Sequence, residues 1–152
     1  MSEIPVLVSA CLLGRECRYD GSQNRYHALE RELAERGLRA VPFCPEEHGG
    51  LGTPRPAAWI EREGAQAVLD GRDRVVTEAG VDVTAQFVKG AEGALAACTA
   101  HGIRLAFLKE RSPSCGVAST HVGASVSGGP GVTTALLARN GIEVRPVEGR
   151  RA

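Results

Sequence analysis

Cys11, Cys44 and Cys115 each stand just past an apolar, β-rich run: Pro5–Ser9 (PVLVS), Arg39–Phe43 (RAVPF) and Leu105–Leu108 (LAFL). Thiolates are soft ligands that suit iron–sulfur clusters, zinc or copper. The spacing contains no CxxC pair, which removes zinc ribbons, thioredoxin-type redox pairs and ferredoxin-type runs. Spacing alone leaves buried free cysteine as the commoner reading, because cysteine packs well as a small hydrophobe. Repetition of position favours metal. Each of the three follows a strand and precedes Gly, Pro or a turn, a poor place for a core side chain. Three thiolates on a cubane cluster leave one iron open to a substrate. Three on zinc need a fourth ligand such as His48, or leave a water-bearing catalytic position. Cys98 lies on the apolar face of a helical stretch and is assigned to the core. Cys17, in a polar loop six residues after Cys11, stays open between fourth ligand, resolving thiol and bystander.

Carboxylates and hydroxyls accompany two of these thiols. Glu46 and Glu47 follow Cys44, and either carboxylate could act as a general base on water. The blander reading is a solvated loop charge. Ser112 and Ser114 flank Pro113 just before Cys115. Their hydroxyls can donate to a developing anion or to a polar substrate edge; the alternative is a turn that satisfies its own backbone. The four histidines show no ligand spacing among themselves. His27 and His101 read as structural or surface groups, while His48 and His121 fall in candidate site loops.

The elements that must position these groups follow from periodicity. Residues 4–9 predict a first buried strand, and Cys11–Asn24 a turn-rich loop. Tyr26–Arg36 predicts a helix with Leu29, Leu33 and Ala34 on one face and Gly37 as its stop. After the second strand comes an irregular Gly- and Pro-rich stretch, Pro45–Pro56, of a length that tends to be functional. Gln66–Leu69 and Arg74–Thr77 flank Asp70-Gly71, a hairpin signal. Thr84–His101 predicts a helix with Phe87, Ala91, Leu95 and Cys98 at the 3.6 period, ended by Gly102. Val117–Gly131 reads as a loop or weak hairpin, Val132–Asn140 as a short helix, Ile142–Val147 as a last strand, and Arg150–Ala152 as a frayed tail. Strands alternating with helices predict an α/β fold: one domain over residues 1–152, a Rossmann-like, mostly parallel sheet flanked by helices. In such a sheet the carboxyl ends of the strands share an edge where ligands bind. Positions 11, 44 and 115 then converge.

Composition narrows the function. Eighteen basic residues balance eighteen acidic ones, which disfavours a nucleic-acid or anionic-membrane binder. No apolar run approaches the ~18 residues of a membrane span. The N-terminal run MSEIPVLVSACLLG lacks the features of a secretory signal, so a cytoplasmic protein is expected. Five cysteines, an odd number, argue against a disulfide framework in a reducing compartment.

Four runs in order, SACLLGRECRYDG (9–21), CPEEHGGLGTPRP (44–56), LKERSPSCG (108–116) and GVTTALLARNGIEV (131–144), resemble the DUF523 family, which includes bacterial thiouracil desulfidases. The resemblance covers nearly the whole chain. It implies an oxygen-sensitive [4Fe-4S] cluster held by Cys11, Cys44 and Cys115, with one iron open. It also implies catalytic roles for Glu46 and for a serine of the SPSC run, Ser114 in preference to Ser112. Cys17 stands where family members can carry valine, which argues against a ligand role. Two departures lie near the site: Trp59 where the family commonly has glutamate, and Ser119-Thr120-His121 where it commonly has Tyr-Asp-Gly. The expected activity is non-redox removal of sulfur from thiouracil or a related thiolated pyrimidine base or nucleoside, giving uracil and hydrogen sulfide. A zinc-thiolate hydrolase and a non-catalytic iron–sulfur carrier or sensor are the competing readings.

Overall fold

The computed structural model describes residues 3–23, 25–117, 119–123 and 125–148, the side chains of 121 and 125–127 excepted. The tail Arg150–Ala152 therefore lies outside the described residues. In chain order the elements are β1 (Ile4–Ser9), α1 (His27–Glu35), β2 (Leu38–Phe43), α2 (Pro45–His48), β3 (Ala58–Ile60), α3 (Ala65–Leu69) and β4 (Val75–Thr77). Then come α4 (Thr84–His101), β5 (Leu105–Lys109), β6 (Ser119–Val122), β7 (Ser125–Gly128), α5 (Val132–Arg139) and β8 (Glu143–Val147).

The predicted parallel sheet is present, with strand order β2-β1-β5-β8 and every pairing parallel. Side chains alternate across its central strand, as the period of two requires. Val6 and Val8 face α1 through Leu29 and Leu33, while Leu7 faces Ala94, Cys98 and Leu137 on the other side. A sheet buried on both faces reads as a near-continuous apolar run, which is what residues 5–8 and 105–108 show. Cys98 is 1% exposed in that second layer, the core role expected of it. The α4 stripe differs in one member: Ala94, rather than Leu95, is fully buried, and Leu95 packs at the margin.

A second sheet, order β4-β3-β6-β7, differs from the sequence expectation. β3 pairs with β4 antiparallel and with β6 parallel, and β6 with β7 antiparallel. The hairpin expected around Asp70-Gly71 does not form. Residues Ala65–Leu69 are helical, and Val75–Thr77 pairs instead with the short strand Ala58–Ile60. The cause is Asp73, which the apolar pattern does not reveal. Its buried carboxylate accepts backbone N–H bonds from Arg62, Glu63 and Gly64 at one oxygen and from Arg74 at the other. That ties the lead-in of α3 to the start of β4 and fixes a turn where a strand was expected. The weak hairpin read over 117–131 is real, as β6 and β7. A third apolar layer fills the space between this sheet and α4 and α5, with Ile60, Val75, Phe87, Ala91 and Val132 at its centre.

Asp73 gives a stability prediction. Burial pushes its carboxyl up, but its four backbone N–H partners outweigh that and hold it below its ordinary value. A depressed carboxylate contributes stability that is present above the unfolded pKa, about 3.9, and is lost as pH falls through the folded value. Asp73→Asn should cost about 1.5–3 kcal/mol at neutral pH, the range for hydrogen bonds to a charged group. The gap between wild type and variant in urea unfolding should stay constant above pH ~5 and close below pH ~4. A gap independent of pH down to acid would remove the carboxylate from this account.

Candidate active site

The strand register brings the site together. Parallel pairing sets Ser9 beside Phe43 and Val8 beside Phe107, so the chain leaves all three strands at one edge. Ser9 Oγ accepts the backbone N–H of Lys109 at 2.9 Å, fastening β1 to β5 at that edge. Beyond it opens a cavity of about 580 Å³. Cys11, Cys17, Cys44 and Cys115 line it, with Glu46, Ser112 and Ser114. Arg55, Lys109, Tyr19 and Trp59 complete the parts of the wall that bear on the chemistry.

Cys11 sits in a single 3-10 turn, Ala10–Leu13, directly after β1. Cys44 caps the start of α2, where Pro45 takes the first helical position without losing a needed donor. That short helix lies against α4 at glycines on both sides. A Cβ on Gly90 would collide with the Pro45 carbonyl, one on Gly49 with the Gln86 carbonyl, and one on Gly93 with the His48 ring. The tight fit positions Cys44 and Glu46. His48 is committed to that packing, with its ring 5.1 Å from Phe43, and it does not line the cavity. Cys115 is presented by the loop after β5. Buried Glu110 holds that loop, its Oε1 accepting the N–H groups of Val117 (2.7 Å) and Ser119 (3.1 Å). Thr120 Oγ1 donates to the Ser112 carbonyl at 2.8 Å. One of the two sequence departures thus braces the site loop, and the other, Trp59, forms part of the cavity wall. The side chain of His121 is outside the described residues.

Glu46 is the hub of the polar groups. Its Oε2 accepts from Ser114 Oγ at 2.8 Å and Ser112 Oγ at 3.3 Å, and its Oε1 from Arg55 Nε at 3.2 Å. The two hydroxyls are 2.9 Å apart, and Ser114 Oγ also lies 3.7 Å from Cys115 Sγ. Ser114 therefore bridges carboxylate and thiol, whereas Ser112 also accepts the N–H groups of Ser114 and Cys115 and shapes the turn. The Arg55 and Glu46 side chains are only 7% and 15% exposed. Glu47 points elsewhere, paired with Arg15 at 2.9 Å and accepting from Thr53 at 2.9 Å.

Cys17 is where the structure departs most from the sequence reading. It is 2% exposed, its carbonyl accepts from the Cys44 thiol at 3.8 Å, and its thiol lies close to those of Cys11 and Cys44. Donor atoms of Cys17, Cys44 and Glu47 lie within 4.8 Å of one another, a group able to hold a metal ion. Contact with Cys11 and Cys44, then burial, pushes the Cys17 thiol far up. The same contact with Cys17 pulls Cys44 down to about 7, aided by the Glu47 backbone N–H and Arg55 against burial and Glu46. Burial pushes Cys115 up to about 12, opposed by hydrogen bonds from Ser9 and Ser114. Burial likewise holds the Lys109 ammonium below its ordinary value, against the pull of Cys11 and Glu148.

Sequence reasoning missed Arg55, Lys109 and Glu110 as site-builders. All three lie inside the quoted runs 44–56 and 108–116, so the signal was a charged residue embedded in a loop that also carries thiols. Arg55 does the most: besides Glu46 it donates to the carbonyls of Cys17 (2.9 Å) and Gly52 (3.1 Å) and to Thr53 Oγ1. Removing one partner of a buried pair leaves an uncompensated charge. Arg55→Met should therefore cost about 3 kcal/mol in urea unfolding. The double variant Arg55→Met, Glu46→Gln should lose less than the sum of the two single changes, with a coupling of about 0.5–3 kcal/mol. Strict additivity would show that the pair carries no energy of its own.

Comparison with known proteins gives concordant findings. The profile of a family described as 2-thiouracil desulfurase matches residues 6–148. An uncharacterized Bacillus subtilis (strain 168) protein, YbbK, is 41% identical over 143 residues, covering 91% of this chain and 93% of its own. The solved structure of the [4Fe-4S]-dependent thiouracil desulfidase TudS is 48% identical, with a TM-score of 0.81, covering 95% of this chain and 91% of that one. Among the described residues no helix is long and apolar enough to cross a membrane.

Proposed function

The chain belongs to the 2-thiouracil desulfurase family, and from that premise we propose that it hydrolyses the C=S bond of thiouracil or a related thiolated pyrimidine base or nucleoside. The products are uracil, or the corresponding oxo-pyrimidine, and hydrogen sulfide. The observation that carries this reading is the convergence of four thiols with a Glu46–serine network around one cavity.

The donor set fits a [4Fe-4S] cluster: soft thiolate donors from separate strand ends line a cavity with room for both a cluster and a small ring. Cys11, Cys44 and Cys115 would hold it, leaving the fourth iron without a protein ligand. When bound, such a cluster supplies a Lewis acid for the thiocarbonyl sulfur. Glu46 Oε2 takes a proton from the attacking water, and Ser114 Oγ, hydrogen-bonded to that oxygen, passes it on. The base is held in place on its other oxygen by Arg55, so its lone pair is aimed before substrate arrives. Both protons of the water end on the departing sulfur as hydrogen sulfide, its oxygen ends on the ring carbon, and no electrons are exchanged. Trp59, Tyr19 and Phe43 supply planar apolar walls suited to an aromatic ring.

Anaerobically prepared protein should carry about four irons and four sulfides per chain. Cys11→Ala, Cys44→Ala and Cys115→Ala should each lose stable iron, while Cys98→Ala keeps it. Stoichiometric zinc without sulfide would favour the zinc hydrolase, for which the Cys17, Cys44 and Glu47 group offers donors. Glu46→Gln should retain iron yet lower hydrosulfide release from 2- and 4-thiouracil by about 10²–10⁴, the usual cost of a lost general base. Full activity would move the base elsewhere. Loss of iron instead would make Glu46 a support of the cluster.

A further inference from the structure

Cys17 is a buried thiol that the proposed reaction does not use, and its position assigns it a role in the cluster-free chain. Its thiol touches those of Cys11 and Cys44, and its Sγ and that of Cys44 are within 4.8 Å. The Cys44 thiol also reaches back to the Cys17 carbonyl, Sγ to O 3.8 Å. The Cys44 side chain thus already lies against the Cys17 backbone. Cys17 lies outside regular secondary structure, between the turn at Ala10–Leu13 and α1, whereas Cys11 is held in that turn. Cys44 is the most exposed of the cavity thiols, half-buried where Cys11, Cys17 and Cys115 are buried. An oxidant entering the cavity meets Cys44 first, and the Cys17 sulfur lies beside it.

We propose that Cys17 is the resolving thiol of Cys44: when the cavity holds no metal and peroxide is present, the two form a reversible Cys17–Cys44 disulfide. Peroxide first transfers one oxygen to the Cys44 sulfur, giving a sulfenic acid and one water. The Cys17 sulfur then attacks the Cys44 sulfur, the S–O bond breaks, and that oxygen leaves as a second water. Two thiol sulfurs lose one electron each, and peroxide gains both. The disulfide stops Cys44 short of the sulfinic and sulfonic states that a thiol reductant does not reverse. The inference rests on the thiol positions themselves and holds whichever metal group the cavity carries.

The full-length chain, purified in air, is treated with hydrogen peroxide, alkylated and digested with trypsin without reduction. Arg15 and Arg18 bracket Cys17, and Arg39 precedes the segment bearing Cys44, so cleavage places Cys11, Cys17, Cys44, Cys98 and Cys115 on separate peptides. The main cross-link should join 16–18 to 40–62, since the Arg55–Pro56 bond resists trypsin, and dithiothreitol should release it. In Cys17→Ser, doubly and triply oxygenated Cys44 should rise severalfold over wild type. Recovery of free Cys44 thiol by dithiothreitol should fall by the same proportion. A main cross-link to Cys11, or equal over-oxidation of Cys44 in wild type and Cys17→Ser, overturns the proposal. Iron and sulfide loading measured separately keeps failure of the cluster reading distinct from failure of this one.

Discussion

The Arg55 guanidinium is the interaction on which the site depends. A half-open loop holds a carboxylate at low exposure only where a counter-charge or several hydrogen-bond donors meet it, because desolvating an unpaired charge costs several kcal/mol. Arg55 meets that requirement for Glu46 and spends its other donors on the carbonyls of Cys17 and Gly52. Its own backbone N–H donates to the Tyr19 carbonyl at 2.7 Å. One side chain and its backbone thus join the loop after β1, which carries Cys17, to the loop that follows α2, the helix capped by Cys44. Arg supports this better than Lys would, since its planar fork serves several acceptors in fixed directions.

Around that tie the fold supplies rigidity from below. The parallel register sets three strand ends at one edge, and the glycine contacts between α2 and α4 fix the height at which Cys44 and Glu46 emerge. Gly131 plays the same part on the other side, where a Cβ would collide with the backbone of Ser114. Thr133 N–H then donates to the Ser114 carbonyl at 2.9 Å, and Thr134 Oγ1 to that of Cys115 at 3.0 Å. The start of α5 thereby seats the Ser-Pro-Ser-Cys loop. Side-chain geometry built on such close backbone contacts tolerates little displacement.

Much of this was legible in the sequence, for identifiable reasons. Thr84–His101 emerges with the expected bounds because a long amphipathic pattern with a glycine stop is decided locally. The buried strands were legible as apolar runs, and the convergence of 11, 44 and 115 followed from parallel topology. The second sheet was not legible. Its strands β3 and β4 span only Ala58–Ile60 and Val75–Thr77, too short for periodicity to mark, and the turn between them is set by Asp73 at a distance. Cys17 stayed open in the sequence for a related reason. Its neighbours in sequence, Arg15, Glu16 and Arg18, are polar, but polarity of neighbours says nothing about a side chain turned inward onto thiols 6 and 27 residues away.

Four thiols around one cavity pose an electrostatic problem that the structure resolves by neutrality. Were Cys11, Cys17, Cys44 and Cys115 all ionised beside Glu46 and Glu110, the bordering cations Arg18, Arg55, Lys109 and Arg111 could not balance them. Contact with Cys11 and Cys44 pushes Cys17 up, burial pushes Cys115 up, and contact with Cys17 draws Cys44 down to about 7. A metal centre bound there would displace thiol protons, because its ligands are thiolates. The positive charge it brought would replace the protons it removed. In that picture the fold is set by the sheet edge, the glycine contacts and Arg55.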